Sequence, residues 1–311
     1  MAKGLGLAVA AGFASALVFL SVLSGGAVGV FLAYVTPLPV VLVGLSFGLR
    51  AFAVSAVLAL AVIALVAPPT ALAFVVVALL PATVLVRQSL LWRQGQDGAI
   101  DWYPPGLILA WLAVTAVALT VFGAALVVVP GTGVEAMAED TVRRFVEEVG
   151  GSLPPDVKTQ AVVIWSALFP AMLSGAWFLM ASVNGALGQW VAARAGYALR
   201  PTPSYSRLDL PNWLMIGLLA VAGLGFAAGG DAGYLARNAA VTLLWPFALA
   251  GLALVHRVLQ RRSQAGLLLA LFYLVFFAMF GWSLVAVAGI GLVSHWTKLR
   301  RHPAGSGQEE E

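Results

Sequence analysis

The residues with most to offer chemically lie in one apolar stretch, "LAYVTPLPVVLVGLSFGLR", residues 32–50. Pro37 has no N–H, and its ring clashes with the carbonyl four residues back, so a helix here must kink or break near 33–37. Thr36, the aromatic face of Tyr34 and the freed carbonyls of Phe31, Leu32, Ala33 and Tyr34 then become the polar groups on offer inside a hydrophobic run. Such breaks are tolerated at mid-membrane where they face protein or a water-filled cavity, and in transporters they often mark the site. Tyr34, Thr36, Pro37 and Pro39 are therefore the candidate ligand-binding residues. The plainer alternative is a structural kink, since proline is frequent in membrane helices.

Other chemistry is sparse. The chain has no cysteine, which excludes thiol catalysis, thiolate metal sites and disulfides. It has no H-E-x-x-H, no paired-carboxylate run at metal spacing and no P-loop. "GWSL" at 281–284 places Ser283 after a glycine, but its only nearby histidine, His295, stands at the far end of the same segment. A serine bonding within its own helix is the simpler reading. Asp97 and Asp101, beside Trp102 and Tyr103, read as solvated loop residues. His256, His295 and His302 all fall at span ends, and no ionisable residue is central to any span. Proton relays and ion paths put such residues at mid-bilayer, so their absence argues against an ion-driven pump. No catalytic residue, metal site or cofactor is expected, and the chain is not expected to be an enzyme.

The elements that must position these groups follow from composition. Of 311 residues, 61% are hydrophobic and 10% charged, and the mean hydropathy is +0.98. A soluble domain carries about 25% charged residues, so this chain belongs in a bilayer. Apolar runs recur at 4–23, 26–48, 51–67, 70–87, 104–129, 160–185, 211–229 and 238–257. They are continuous rather than alternating, which predicts helices and excludes a barrel. The first run, preceded by Lys3, has the outline of a signal peptide but is too long, and another span follows at once; it reads as a retained first helix.

The last run, 265–296, would be about 48 Å long as one helix, far more than a bilayer needs. As two helices meeting near Phe280-Gly281 each half would be about 24 Å. With a hairpin there and the N-terminus inside, every lysine and arginine except Arg143, Arg144, Lys158 and Arg237 lies on the inner side, as the positive-inside rule requires. The expectation is an all-α polytopic bundle of about ten crossings (eight to ten) in the inner, cytoplasmic membrane, with both termini cytoplasmic. Residues 1–301 would form a single membrane domain and 302–311 a disordered cytoplasmic tail. The pI of about 9.7 then reflects loops facing anionic lipid, and no nucleic acid is implied.

Two polar segments interrupt the spans. In 132–150, Thr132 and Glu135 have capping-box spacing, and Val134, Met137, Val142, Phe145 and Val149 form an apolar stripe that Gly150-Gly151 ends. This predicts an external amphipathic helix, either a strap on the bundle or a lid over a cavity. In the basic cytoplasmic loop 194–210, prolines at 201 and 203 forbid a helix, and Arg194, Arg200 and Arg207 would meet lipid headgroups or a partner. In the first span Gly4, Ala8, Gly12 and Ala16 form a small-residue ladder, and Ala10 and Ala14 a second pair. Such ladders let helix backbones approach, for inner packing or for docking a membrane-protein partner. Trp102, Tyr103, Trp190, Tyr197, Trp213 and Trp296 suit interfacial anchors. Asn184 and Gln189 are the expected interhelical hydrogen-bonding side chains.

In order along the chain, "TPLPVVLVGLSFG" (36–48), "WYPPG" (102–106), "NGALGQ" (184–189), "LRPTP" (199–203), "LPNW" (210–213), "LFYL" (271–274) and "GLVSHWTKLRR" (291–301) resemble the bacterial YybS-like family of predicted membrane proteins, a domain of unknown function. The resemblance covers roughly 4–301. The family's last motif often carries an aspartate before the tryptophan, where Ser294 stands here, which puts any role of that aspartate in doubt. The family is distantly similar to the substrate-binding membrane components of energy-coupling-factor transporters and to the rod-shape scaffold protein MreD. Those transport components dock their membrane partner through A-x-x-x-A patterns, and Ala10 and Ala14 match that pattern. Two functions are expected on these grounds: a small-molecule transport or substrate-binding component, or a non-catalytic scaffold organising envelope proteins.

Overall fold

The structure is a computed structural model that describes residues 2–23, 26–95, 98–127, 131–205 and 208–301. In chain order the helices are α1 (Ala2–Val22), α2 (Gly26–Val35), α3 (Leu38–Phe47), α4 (Leu49–Val66), α5 (Ala71–Phe74) and α6 (Leu80–Ser89). A short hairpin of β1 (Trp92–Gln94) and β2 (Ile100–Trp102) follows. Then come α7 (Pro105–Val127), α8 (Val134–Val149), α9 (Pro155–Arg194), α10 (Asn212–Ala227), α11 (Gly230–Leu243), α12 (Trp245–Gln260), α13 (Ala265–Ala278) and α14 (Phe280–Arg301).

Helix dominates because lipid gives backbone N–H and C=O groups nothing to bond with, so each apolar run must satisfy its own. Among the described residues seven segments are long and apolar enough to cross a membrane, and three more, Phe31–Phe47, Asn212–Ala227 and Ala265–Ala278, are apolar but shorter. Each expected span falls on one of these. The run 265–296 is indeed two helices, broken at Met279, one residue before the expected junction. Arg237, expected in a loop, lies within α11 and donates to the Gly225 carbonyl of α10 at 3.2 Å.

The chain is nearly all-α, the exception being the β-hairpin. Its register pairs Trp92 with Trp102 and Arg93 with Asp101, and Asp101, expected to be merely solvated, forms an ion pair with Arg93 at 3.4 Å. Asp97 lies outside the described residues, as do Arg207 and the segment 302–311.

The chain divides into two compact units, Met1–Leu112 with Ala176–Pro203, and Ala113–Gly175 with Ser204–Glu311. In the first, α1 turns its Gly4-Ala8-Gly12-Ala16 face inward. Ala8 and Ala16 are fully buried, and a Cβ on Gly12 would lie 2.7 Å from the Ser55 carbonyl of α4. That ladder is thus used for inner packing, sealed at one end by Phe19 edge-on to Phe74 at 5.0 Å. The other pair differs, since Ala10 is exposed and Ala14 half-buried. In the second unit, α12 and α14 meet backbone to backbone: a Cβ on Gly251 would sit 2.0 Å from the Val287 carbonyl, and one on Gly291 2.0 Å from that of Phe247. Only glycine permits so close an approach.

The amphipathic helix forms as α8, but its details are corrected. The residue ahead of its first turn is Gly133, with no side-chain cap. The capping box of Thr132 and Glu135 is replaced by Asp231 of α11, whose carboxylate accepts from the Glu135 N–H at 3.4 Å. The buried line is Ala138, Val142 and Val146, whereas Phe145 and Val149 are exposed. The stripe is turned by about one residue because α8 leans on α11 rather than lying free.

Candidate functional site

At Pro81, Pro170 and Pro37 the helical ladder of an apolar run is disturbed, and at each a side chain from another helix takes up at least one of the carbonyls left open. At Pro81 the preceding turn widens to a π-helix over Val75–Leu79. A proline cannot supply the N–H that Val76 five residues back would accept in a π turn. Trp177 of α9 supplies one instead, its indole N–H donating to the Val76 carbonyl at 2.9 Å.

At Pro170, inside α9, the second unit does the same more fully. The Tyr234 hydroxyl of α11 donates to the Ser166 carbonyl at 2.6 Å, and Asn238 Nδ2 donates to the Ala167 carbonyl at 3.1 Å. Asn238 Oδ1 accepts from the Ala171 N–H at 3.0 Å, and its Nδ2 also donates to Tyr234 O at 3.0 Å. Ser174 and Thr242 extend the seam with a hydroxyl–hydroxyl bond of 2.6 Å. Asn238 is fully used.

The third break is the one between α2 and α3. The Thr36 hydroxyl donates back to Leu32 O at 3.3 Å, and its N–H to Ala33 O at 3.3 Å. Ser15 of α1 donates to Thr36 O at 2.7 Å, and Asn184 Nδ2 of α9 donates to Tyr34 O at 2.6 Å. Asn184 Nδ2 also reaches Met180 O at 2.7 Å. The two short bonds to carbonyls fix the amide's orientation, with Oδ1 on the other side. That Oδ1 is buried and has no partner, on a residue only 2% exposed.

The sequence-predicted site residues divide accordingly. Thr36 is fully buried, Pro37 buried and Pro39 half-buried, while Tyr34 is 46% exposed. Of Tyr34 it is the carbonyl, not the ring, that meets Asn184. Asn184 was expected to bond between helices, and does. Gln189 does not bond to another helix: its Nε2 donates at 3.0 Å to the carbonyl of Arg200, in the loop that follows α9. Gly185 and Gly188, in the same "NGALGQ" run, let α9 come this close: a Cβ on Gly185 would lie 2.2 Å from the Leu85 side chain and one on Gly188 3.0 Å from Val41. Pro170, Tyr234 and Asn238 were not singled out from the sequence. The available signal was an internal proline in an apolar run with an asparagine in another.

Arg200 departs from expectation. It is 5% exposed, so it does not meet lipid headgroups. Its guanidinium donates to Ser89 O at 3.1 Å and to Tyr103 O at 3.4 Å, and lies 5.8 Å from the Trp102 ring. It ties the end of α6 to the segment entering α7, which polar carbonyls at helix ends favour. Arg194 is exposed and lies over the Trp190 ring at 5.6 Å. Arg200→Gln is expected to lower stability by about 1.5 kcal/mol, the scale of a charge-assisted hydrogen bond. Arg194→Gln should stay within about 0.5 kcal/mol. Thermal unfolding of the two variants in detergent compares them.

Seven long apolar helices, polar seams sealed side chain to backbone, and wide apolar exposure define a multi-pass helical membrane protein. The chain belongs to the family described as "Predicted membrane protein (DUF2232)", which it matches over residues 13–293. No curated protein and no solved structure matches it.

Proposed function

We propose that this chain is a membrane component that binds or passes a small uncharged solute, read at the break between α2 and α3. The observation that carries this is the open Asn184 Oδ1. Asn238 performs the same duty at Pro170 and has every bond filled. A buried acceptor without a donor costs about 1–3 kcal/mol, and unsatisfied buried polar groups call for a reason. A solute N–H or O–H seated against Asn184 supplies the missing donor. The spans hold no acidic residue at their centres, which suits an uncharged solute better than ion coupling.

In this reading the chain crosses the inner, cytoplasmic membrane about ten times (eight to ten) with both termini inside, is not an enzyme and uses no cofactor. The likeness to the YybS-like family and, distantly, to substrate-binding components of energy-coupling-factor transporters supports it. The scaffold reading, with its likeness to MreD, has one observation in its favour: Ala10 and Ala14 stay on the outer side of α1 while the other ladder is consumed inside. The same face would dock a partner in either case.

The double variant Pro37→Ala, Pro39→Ala separates the two. It heals the helix and draws the Tyr34 carbonyl back into the backbone ladder. Loss of a co-purifying small molecule with membrane-protein partners still captured supports solute binding. Retention of that molecule would make the break a kink only.

A further inference from the structure

We propose that a cleft between the end of α12, α14 and the segment 208–210 binds a phosphate group at the membrane surface, independently of the solute site. The cleft is lined by Arg257, Ser294, His295 and Lys298, with Leu208 and Leu254 among its apolar walls. Its volume is about 20 Å³, room for roughly one water. A phosphate therefore enters by one oxygen while the rest of the ligand stays outside.

The donor chemistry matches that oxygen. His295 Nε2 is buried with no hydrogen-bond partner, and its N–H form donates to an anionic oxygen. The ring is held in place edge-on to Phe247 at 5.8 Å. Lys298 is bonded to Asp209, which cancels one charge, but both are largely exposed and screened. Arg257 also lines the cleft. Arginine and lysine are the usual phosphate binders. Trp296, 45% exposed beside the cleft, suits the headgroup level.

The close approach of Gly251 and Gly291 creates the arrangement. It brings α12 and α14 together so that Arg257 and His295, one turn or so beyond the contact, share one recess. The phosphate comes from an anionic phospholipid headgroup or from a soluble phosphate ester.

Native mass spectrometry of the full chain in maltoside detergent, which carries no competing phosphate, with added phosphatidylglycerol tests this. Wild type should retain phosphatidylglycerol about tenfold better than Arg257→Gln, the loss expected for one charge-assisted bond. Lys298→Gln, at an exposed position, should weaken retention similarly and guards against a folding defect in the first variant. Arg261→Gln, outside the cleft, should change nothing. Displacement by inorganic phosphate would assign the site to soluble esters, and resistance to it would assign the site to the headgroup; both support the phosphate site. Equal retention by wild type and Arg257→Gln would overturn it, as would an equal loss in Arg261→Gln, which would reduce the effect to diffuse charge.

Discussion

Replacing Asn238 with leucine is expected to give the largest loss of stability of any single change at the helix breaks. The substitution strips the Ala167 carbonyl and the Ala171 N–H of their partners at the Pro170 kink. Hydrogen bonds between membrane helices average only about 0.6 kcal/mol by double-mutant cycles, because the separated helices find other partners in the membrane. That discount is smaller at this kink. Pro170 offers no donor to Ser166 O, and its ring keeps Ala171 N–H from closing on Ala167 O as it would in a straight helix, so the separated helix regains that bond only in part. Two buried backbone groups at about 1–3 kcal/mol each put the expected loss at about 3 kcal/mol. Tyr234→Phe removes only the single bond to Ser166 O and should cost about 1 kcal/mol. Thermal unfolding of both variants in the same detergent measures the ratio. A leucine variant no worse than the phenylalanine one would mean that water already serves the kink.

Asn184→Leu is expected to behave differently. Only one bond to a carbonyl of another helix is lost, that to Tyr34 O, so stability should fall by about 1 kcal/mol. Solute retention should fall at least about tenfold, because the open Oδ1 and the geometry of the break disappear together. The contrast between the two asparagines follows from their bonding. Asn238 is saturated and structural; Asn184 is spent on one side and open on the other. A large loss of stability with unchanged solute retention at Asn184 would reverse the assignment.

Much of this architecture is legible in sequence because lipid enforces it. Continuous apolar runs have no alternative to helix, and the break at 36–37 follows from the missing N–H of Pro37. The location of Asn184 on an apolar helix also identifies it in advance as a bonding residue. Its partner does not follow from sequence, since several freed carbonyls were available and the packing of α9 through Gly185 and Gly188 decides which one Asn184 meets, namely Tyr34 O. Arg200 reads as a loop cation because its sequence neighbours are loop residues. The groups that bury it, Ser89, Trp102 and Tyr103, come from distant parts of the chain. Asn238 opens the apolar run 238–257 in the sequence, whereas α11 begins at Gly230 and puts it well inside the helix. The α8 cap fails for a similar reason: Thr132 has the right spacing, but the long-range Asp231 occupies the position first.

Native mass spectrometry of the chain, gently extracted from its own membrane, tests the central claim most directly. Wild type and Tyr234→Phe should each carry a small molecule at one per chain, and Asn184→Leu should come out bare. A wild-type chain without a small molecule, or an Asn184→Leu chain that keeps it, would contradict the claim that the open amide at the α2–α3 break is a recognition site.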